Sequence, residues 1–585
     1  MNLQIPTNPL LPQRNLATPR PPRVCFPVLL SGDLVMSSEH LGVSYLCSIL
    51  KDAGAECKII EVPFSHDSNT PEIDEIVEWE PDVIGLSLTT ITVAHATQLG
   101  TALRKRLGQD VYFIAGGALA TFLSKELLTN KNWGFLNGLI RGEGDIPIVR
   151  FVEAFWGEGD YTTVPNLTWK NTDGTIHENP IALPLENLDL LPEPSRAQFE
   201  CNNHRMPYLR IATSRGCSGR CTFCNAPHAG NKTAPGKLWR AQSPEKVVEG
   251  VEHLYNTYNV NTFDFVDSTF EDPGGASFAK ERIRKIAEGF INKNMRVYYN
   301  VCMQAKNWSS ADKDLIDTLY ESGLEKVLIG VESSTQGGLD IWKKRSNVED
   351  NERAITLLRG AGIYVAFGFI SFHPWSTFDE IRNNNIFLKN MMGYNLRRFT
   401  VRLEMYPGAE VISKLKSEGM LESDFEETLN PLAYRFHDPR IGRLADATSL
   451  LYGSMYKEEG VIEKQPSVFE FETYDIVLHT YMSRLKRHCR ADQAAMDVIL
   501  ASEEKADGIR DEMVAFNFDL ISIFVDKAES ETLDDAFALA QAPIVEAYYR
   551  EQMDRLRTLQ LQTSFKLHRQ GVSVNEITFS GASKS

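Results

Sequence analysis

The sequence predicts an α/β chain in three parts: a doubly wound parallel sheet, a second α/β unit of six strands, and a mainly helical C-terminal part. Three patterns carry that reading. Short apolar runs alternate with amphipathic helical segments over residues 23–156, the same alternation returns over 201–428, and from 429 onward the apolar spacing is that of helices alone. At 585 residues the chain is too long for one core. Its 43% hydrophobic and 24% charged residues are those of an ordinary globular protein, and no apolar run approaches a membrane span of about 18 residues. A net charge of -17 opposes adhesion to phosphate backbones, which makes nucleic acid a poor substrate candidate.

Residues 1–22 hold several prolines and no apolar core, which reads as a loose arm rather than a secretory signal. In the first domain the expected strands are 24–30, 56–62, 83–88, 111–115 and 138–141. Small and polar residues gather at or after their carboxyl ends: Ser31-Gly-Asp33, Ser87-Leu-Thr-Thr90, Gly116-Gly117 and Gly142-Glu-Gly-Asp145. Ligands of open α/β sheets sit at such ends, where glycine admits the backbone and helix N-termini offer donors. His40 reads as a helix-start residue. Six of the nine cysteines, at 25, 47, 57, 201, 302 and 489, are scattered, as reduced thiols in a reducing cytoplasm would be.

Residues 157–200 form a connector, with a strand pair suggested around 164–169 and the turn 171–174. The second unit offers strands at 209–213, 262–267, 296–303, 326–331, 364–372 and 398–405, too few for a closed eight-stranded barrel. Beyond it, apolar residues at helical spacing mark 474–485, 496–500 and 536–559. This last part is expected to cover the mouth of the second unit. His488-Cys489 is a weak metal or thiol pair, and the tail after 572 reads as loose.

The chemistry is concentrated in Ser214-Arg-Gly-Cys-Ser-Gly-Arg-Cys-Thr-Phe-Cys224. Three thiolates on a 4Fe-4S cube leave one iron open; a zinc site completed by His228 is the competing reading. The C-x3-C-x2-C spacing of Cys217, Cys221 and Cys224 resembles the radical S-adenosylmethionine (SAM) superfamily. That resemblance implies a partial (β/α)6 TIM-type barrel, an open iron that binds the amino and carboxylate groups of SAM, and reductive release of a 5'-deoxyadenosyl radical. It also implies roles for particular residues. The backbone of Phe223 would meet adenine. Asp267, in Asp264-Phe-Val-Asp-Ser-Thr-Phe-Glu271, would receive the SAM ammonium group, or else cap a helix. Glu332 and Ser333, in Ile329-Gly-Val-Glu-Ser-Ser334, would bind the ribose or amino-acid part. Arg402, beside Thr400 and Glu404, would clamp a carboxylate or make a structural salt bridge. His373 is a substrate acid or base, or a packing histidine. Arg215 and Arg220 would hold the anionic cluster or lie on the surface, and Asn300 and Gln304 are polar groups without a settled role.

The first domain resembles the cobalamin-binding domain joined to many radical SAM enzymes, through His40-Leu-Gly-Val-Ser-Tyr-Leu46, Pro81-Asp-Val-Ile-Gly-Leu-Ser87 and Arg141-Gly-Glu-Gly144. Ser87, Thr89, Gly116, Gly117, Gly142 and Glu143 are then the cobalamin candidates. The D-x-H-x-x-G motif of histidine-ligated cobalamin is absent; Ser38-Glu-His-Leu-Gly42 does not match it. Related methylthiotransferases hold a second cluster on three N-terminal cysteines, for which Cys25, Cys47 and Cys57 are the candidates. The whole order resembles cobalamin-dependent radical SAM enzymes. It implies methyl transfer to an unactivated carbon of a small natural product or modified peptide, with an electron donor such as a flavodoxin or ferredoxin. Alternatives are a radical cyclase or rearrangement enzyme and, more remotely, a cobalamin carrier or sensor.

Overall fold

The structure is a computed structural model, and it describes residues 20–30, 39–63, 70–157, 160–202, 208–226, 236–271, 277–393, 395–452 and 466–574. In the first domain β1 (Arg23–Leu30), β2 (Glu56–Pro63), β3 (Val83–Ser87), β4 (Tyr112–Gly116) and β5 (Gly138–Ile140) run parallel in the order β2-β1-β3-β4-β5. Side chains alternate along each strand, so the two faces need separate covers. Val24, Phe26 and Val28 pack with the helices Leu41–Asp52 and Asp145–Trp156; Cys25, Ile84 and Leu86 pack with Pro71–Glu78 and Val93–Leu107. The connector is not a separate element. Its β6 (Leu167–Lys170) and β7 (Ile176–Glu178) extend the same sheet antiparallel beyond β5.

The second sheet is parallel, with β8 (Leu209–Ile211), β11 (Thr262–Phe265), β12 (Tyr298–Met303), β13 (Leu324–Glu332) and β14 (Tyr364–Phe369) in that spatial order. Between β8 and β11 in the chain lies a two-stranded antiparallel ribbon, β9 (Ser214–Gly216) and β10 (Trp239–Ala241). Val327, Ile329 and Val331 on β13 are fully buried in the core shared with Leu315, Ile316, Leu319, Ala354, Ile355 and Leu358. Their neighbours on the strand face the opposite, concave side.

The expected sixth strand, 398–405, is not formed. The helix Leu396–Thr400 takes its place, and a single parallel bridge, Phe372 to Arg402, is what remains of the pairing. Packing explains the difference: the Asn395 side chain caps the helix by accepting from the Arg397 N–H, and the Leu396 N–H donates to Tyr549 Oη of the C-terminal part at 2.7 Å.

The C-terminal part contains the helices Pro466–Cys489, Gln493–Glu529 and Asp535–Arg569. The first of them lies at the amino ends of the barrel strands. Arg484 pairs with buried Glu325 at 2.7 Å, Arg487 donates to Leu324 O, and His479 bonds Gly362 O. This corrects the expectation that the C-terminal part covers the barrel mouth: its first helix closes the opposite end.

Candidate functional site

The loop bearing the cysteines begins on the β9–β10 ribbon. Gly216 stands at φ 86°, and a side chain there would come within 2.0 Å of Leu238 O, so only glycine can precede Cys217. The Gly219 N–H donates to Cys217 Sγ at 3.3 Å. A Cβ on Gly219 would lie 3.2 Å from that sulfur and 3.8 Å from Cys221 Sγ, so the loop wraps both thiols around a residue without a side chain. Gln304 Nε2 is a further donor to Cys217 Sγ, at 3.8 Å. The far side of the loop is pinned by Thr222, whose N–H donates to Trp342 O at 3.1 Å and whose carbonyl accepts from Val411 N. Phe223 packs edge-on against Trp342, with ring centroids 5.5 Å apart.

Burial pushes all three thiols above their usual pKa, Cys224 to about 11, while the Lys344 charge opposes the rise at Cys217 and Cys221. Donors aimed at sulfur and a buried cation suit an anionic thiolate cluster. Among the described residues no three His, Cys, Asp or Glu side chains gather tightly enough for one metal ion, and His228 lies outside the described residues. A multi-iron cube spaces its cysteines more widely than a single zinc ion does.

Beside the loop, β13 ends in an irregularity. The register with β14 shifts between Gly330 and Glu332, and Glu332 stands at φ 69°, a left-handed conformation that costs a non-glycine residue roughly 1 kcal/mol or more. Its carboxylate turns back over two glycines: Cβ atoms on Gly330 and Gly368 would meet Oε1 at 2.5 Å and Oε2 at 3.3 Å. Lys344 approaches the same carboxylate at 3.6 Å. Burial disfavours the Lys344 charge, but Glu332 and the thiols of Cys221 and Cys217 outweigh it and hold its pKa above the ordinary value. A carboxylate and an ammonium held side by side, largely buried, next to the cluster cysteines fit the zwitterionic end and ribose hydroxyls of SAM. Lys344 was missed in the sequence because it follows a short helix with no motif of its own.

Several expected roles change. Asp267 is buried and both its oxygens are taken: Oδ1 accepts from the N–H groups of Thr213 and Ser214 at 2.7 and 2.8 Å, and Oδ2 accepts from Thr213 Oγ1 at 2.5 Å. It anchors the entry to the cysteine loop and is not free to receive an ammonium group. Ser333 is buried against Thr335, whose hydroxyl reaches Glu380, and His373 Nε2 meets Glu380 as well, at 3.2 to 3.3 Å. His373 is 0% exposed, so it is a packed member of this network and not a group at an open mouth. Arg402 pairs with Asp446 at 2.6 Å over the rings of Tyr434 and Phe436, which is the salt-bridge alternative. Thr400 bonds Tyr452 and Glu404 accepts from Tyr406. Arg220 is exposed. His488 is exposed while Cys489 is buried, so that pair points apart.

In the first domain the ends of β3, β4 and β5 lie side by side and bring Ser87, Gly116, Gly117 and Gly142 to one edge. Gly117 is held at φ 94°, where a Cβ would come within 2.8 Å of Leu88 O, and the Gly142 N–H bonds Thr121 Oγ1. Thr89 exchanges hydrogen bonds with Thr92. Ile91, 53% exposed, stands on the same edge. Glycine backbone, small hydroxyls and an exposed apolar side chain fit the broad face of a corrin. His40 is engaged at both ring nitrogens, Nδ1 by Val43 N–H and Nε2 by Ser87 Oγ at 2.9 Å, and thus caps its helix. Cys25 faces a different core from Cys47 and Cys57, so these three thiols do not converge on a second cluster.

Glu143 is used differently. Arg215 and Arg240 are cross-strand neighbours on the β9–β10 ribbon, and Glu143 bonds both guanidinium groups while Asp145 takes Arg215 through two oxygens at 2.5 and 3.1 Å. Two like charges directly opposite each other repel, and the carboxylates of the first domain offset that. On the β1 side Glu39, 1% exposed, receives Arg196 and the Arg210 N–H. The segment entering the cysteine loop is therefore tied to the first domain at both ends.

Residues 211–384 match the family model of the radical SAM superfamily, and residues 31–152 match that of the B12 binding domain. The chain belongs to the cobalamin-binding radical SAM enzymes, whose cofactors are a 4Fe-4S cluster, SAM and cobalamin. It is 24% identical over 375 residues to an uncharacterized methyltransferase of Pyrococcus horikoshii, covering 63% of this chain and 77% of that one. It is 26% identical over 340 residues to an anaerobic magnesium-protoporphyrin IX monomethyl ester cyclase of Rubrivivax gelatinosus, where it spans 56% of this chain and 58% of the cyclase. The fold is that of the cobalamin-dependent SAM radical enzyme OxsB with aqua-cobalamin and SAM bound, at a TM-score of 0.63 and 16% identity over 91% of this chain and 84% of that one.

Proposed function

We propose that this enzyme cleaves SAM reductively and, through cobalamin, methylates an unactivated carbon of a small natural product or modified peptide. The reading includes a cytoplasmic setting and a flavodoxin- or ferredoxin-like electron donor. When bound, the cluster supplies the electron that splits SAM, and cobalamin carries the methyl group. The residues of the chain bind and orient. Gly219 N–H and Gln304 support Cys217, Glu332 and Lys344 hold the polar end of SAM, and Phe223 with Trp342 walls the site.

The observation that carries the reading is the tie between the two domains. The loop of Cys217 is fastened through Arg215 to Glu143 and Asp145, at the same sheet edge that presents Ser87, Gly116 and Gly117. A cluster on those cysteines and a cobalamin at that edge would thereby face each other, as a shared substrate requires. A pure carrier would have no use for Glu332 and Lys344 beside three cysteines. The second reading, a cyclase or rearrangement enzyme, is favoured by the cyclase relative. Anaerobic turnover with labelled SAM separates them: methyl transfer yields S-adenosylhomocysteine together with 5'-deoxyadenosine, and a non-methylating reaction yields only the latter.

A further inference from the structure

The concave face of the second sheet is layered. Strand register places Arg210, Asp264, Asn300 and Lys326 in one row across β8, β11, β12 and β13. Two residues further along the strands, about 6.6 Å nearer the cysteines, the row is Cys302, Leu328 and Ala366, with Val266 following Asp264 on the same face. The next row holds Gly330 and Gly368, over which Glu332 lies. Leu328, on β13, is 40% exposed and Val266, directly after β11, is 39% exposed although the other face of this sheet is fully buried, so the apolar row faces open space.

The charges of the polar row do not cancel. Arg210 and Asp264 pair with each other at 3.5 Å, and Arg210 also reaches Glu39 O. Lys326 and Asn300, directly opposite each other, make no side-chain hydrogen bond or ion pair among the described residues. The floor beneath them is closed by Arg484 and Glu325. An ammonium and an amide without a side-chain partner among the described residues, at the bottom of an apolar-walled cleft, suit oxygen anions.

Resting on the radical SAM reading above, we propose that this face is the substrate subsite, and that it takes a molecule with a carboxylate or phosphate end and an apolar carbon skeleton. The anion meets Lys326 and Asn300, the skeleton lies along Val266, Cys302 and Leu328, and the far carbon is presented below Glu332.

The test uses anaerobically reconstituted full-length protein with SAM and three probes: octanoate, octyl phosphate and octylammonium. Binding is followed by calorimetry and by the rate at which maleimide labels Cys302, read by peptide mass spectrometry. At least one anionic probe should bind saturably and slow Cys302 labelling, octylammonium should not, and Lys326→Met should weaken the anion about tenfold while Lys326→Arg retains it. Carboxylate and phosphate are told apart by which probe binds more tightly. Should Lys326→Met misfold, Asn300→Leu supplies the second variant, with weakening in the same direction. Equal protection by octylammonium, or anion binding unchanged in both variants, overturns the subsite. Formation of 5'-deoxyadenosine by the wild-type protein is measured alongside; its absence would overturn the radical SAM reading, whereas its presence without anion binding would overturn this subsite alone.

Discussion

Glu332 and Lys344 meet at 3.6 Å above Gly330, whose missing side chain leaves room for both. The pair is largely buried, at 11% and 15% side-chain exposure, so removing one partner leaves the other charged and poorly solvated. Glu332→Gln and Lys344→Met should each destabilise the protein by about 3 kcal/mol, and the double variant should recover about 1 to 2 kcal/mol of the sum. Urea unfolding of the four proteins measures the coupling; strict additivity would mean that the two do not interact.

Gly330→Ala tests the same pair more gently. The atoms nearest the new methyl group are the movable ends of Glu332 and Lys344, so the fold should lose less than about 1 kcal/mol. The displaced pair should bind SAM about tenfold more weakly, with iron content unchanged. Equilibrium dialysis with SAM and an iron assay on the same sample check both halves.

Asp267→Asn distinguishes an anchor from a SAM ligand. Asparagine cannot accept from Thr213 N–H, Ser214 N–H and Thr213 Oγ1 as the carboxylate does, so the entry to the cysteine loop should loosen. The expected result is a loss of about 2 kcal/mol in stability and a lower iron content. A variant with full iron and normal stability that fails only to bind SAM would restore the ammonium-binding role.

The link between the domains should behave as a buried ion network. Arg240→Ala leaves Glu143 short of a partner and should cost about 3 kcal/mol, and the reversal Arg240→Glu with Glu143→Arg should recover part of that loss. Because its carboxylate is occupied by arginines, Glu143→Gln should leave cobalamin affinity within about threefold of wild type, as measured by titration with hydroxocobalamin.

Glu271 gives the protein a pH dependence. It is fully buried, accepts from Gln304 N and Asn307 Nδ2, and burial raises its pKa to about 7. A carboxyl that binds its proton more tightly in the folded chain favours folding at low pH, and that contribution is lost as pH rises from about 4.5 through about 7. Glu271→Gln should remove this slope and be more stable than wild type near pH 8, by a few kcal/mol at most. Thermal unfolding of both proteins at pH 5, 6, 7 and 8 reads the difference.

The parallel strands were legible because each is a short apolar run between helical segments; β13 was expected at 326–331 and spans Leu324–Glu332. The cysteine loop and Glu332 were legible as motifs. The sixth strand was not, since the 398–405 stretch looks strand-like, and the Asn395 cap together with contacts to Tyr549 and Glu472, far along the chain, winds part of it into a helix. Asp267 was found but misread: spacing places a carboxylate at a strand end without saying which donors it faces. Lys344 and the Arg240–Glu143 contact depend on residues that meet only after folding, and no local pattern marks them.

The pairing of a cluster site with a cobalamin site in one chain is tested most directly by metal content. Anaerobically reconstituted wild-type protein, supplied with iron, sulfide and hydroxocobalamin, should carry about four irons and about one cobalt per chain, and Cys221→Ala should lose the iron while keeping the cobalt. Wild-type protein that holds iron but no cobalt would contradict the two-cofactor account, and iron retained in full by Cys221→Ala would contradict the assignment of the cluster.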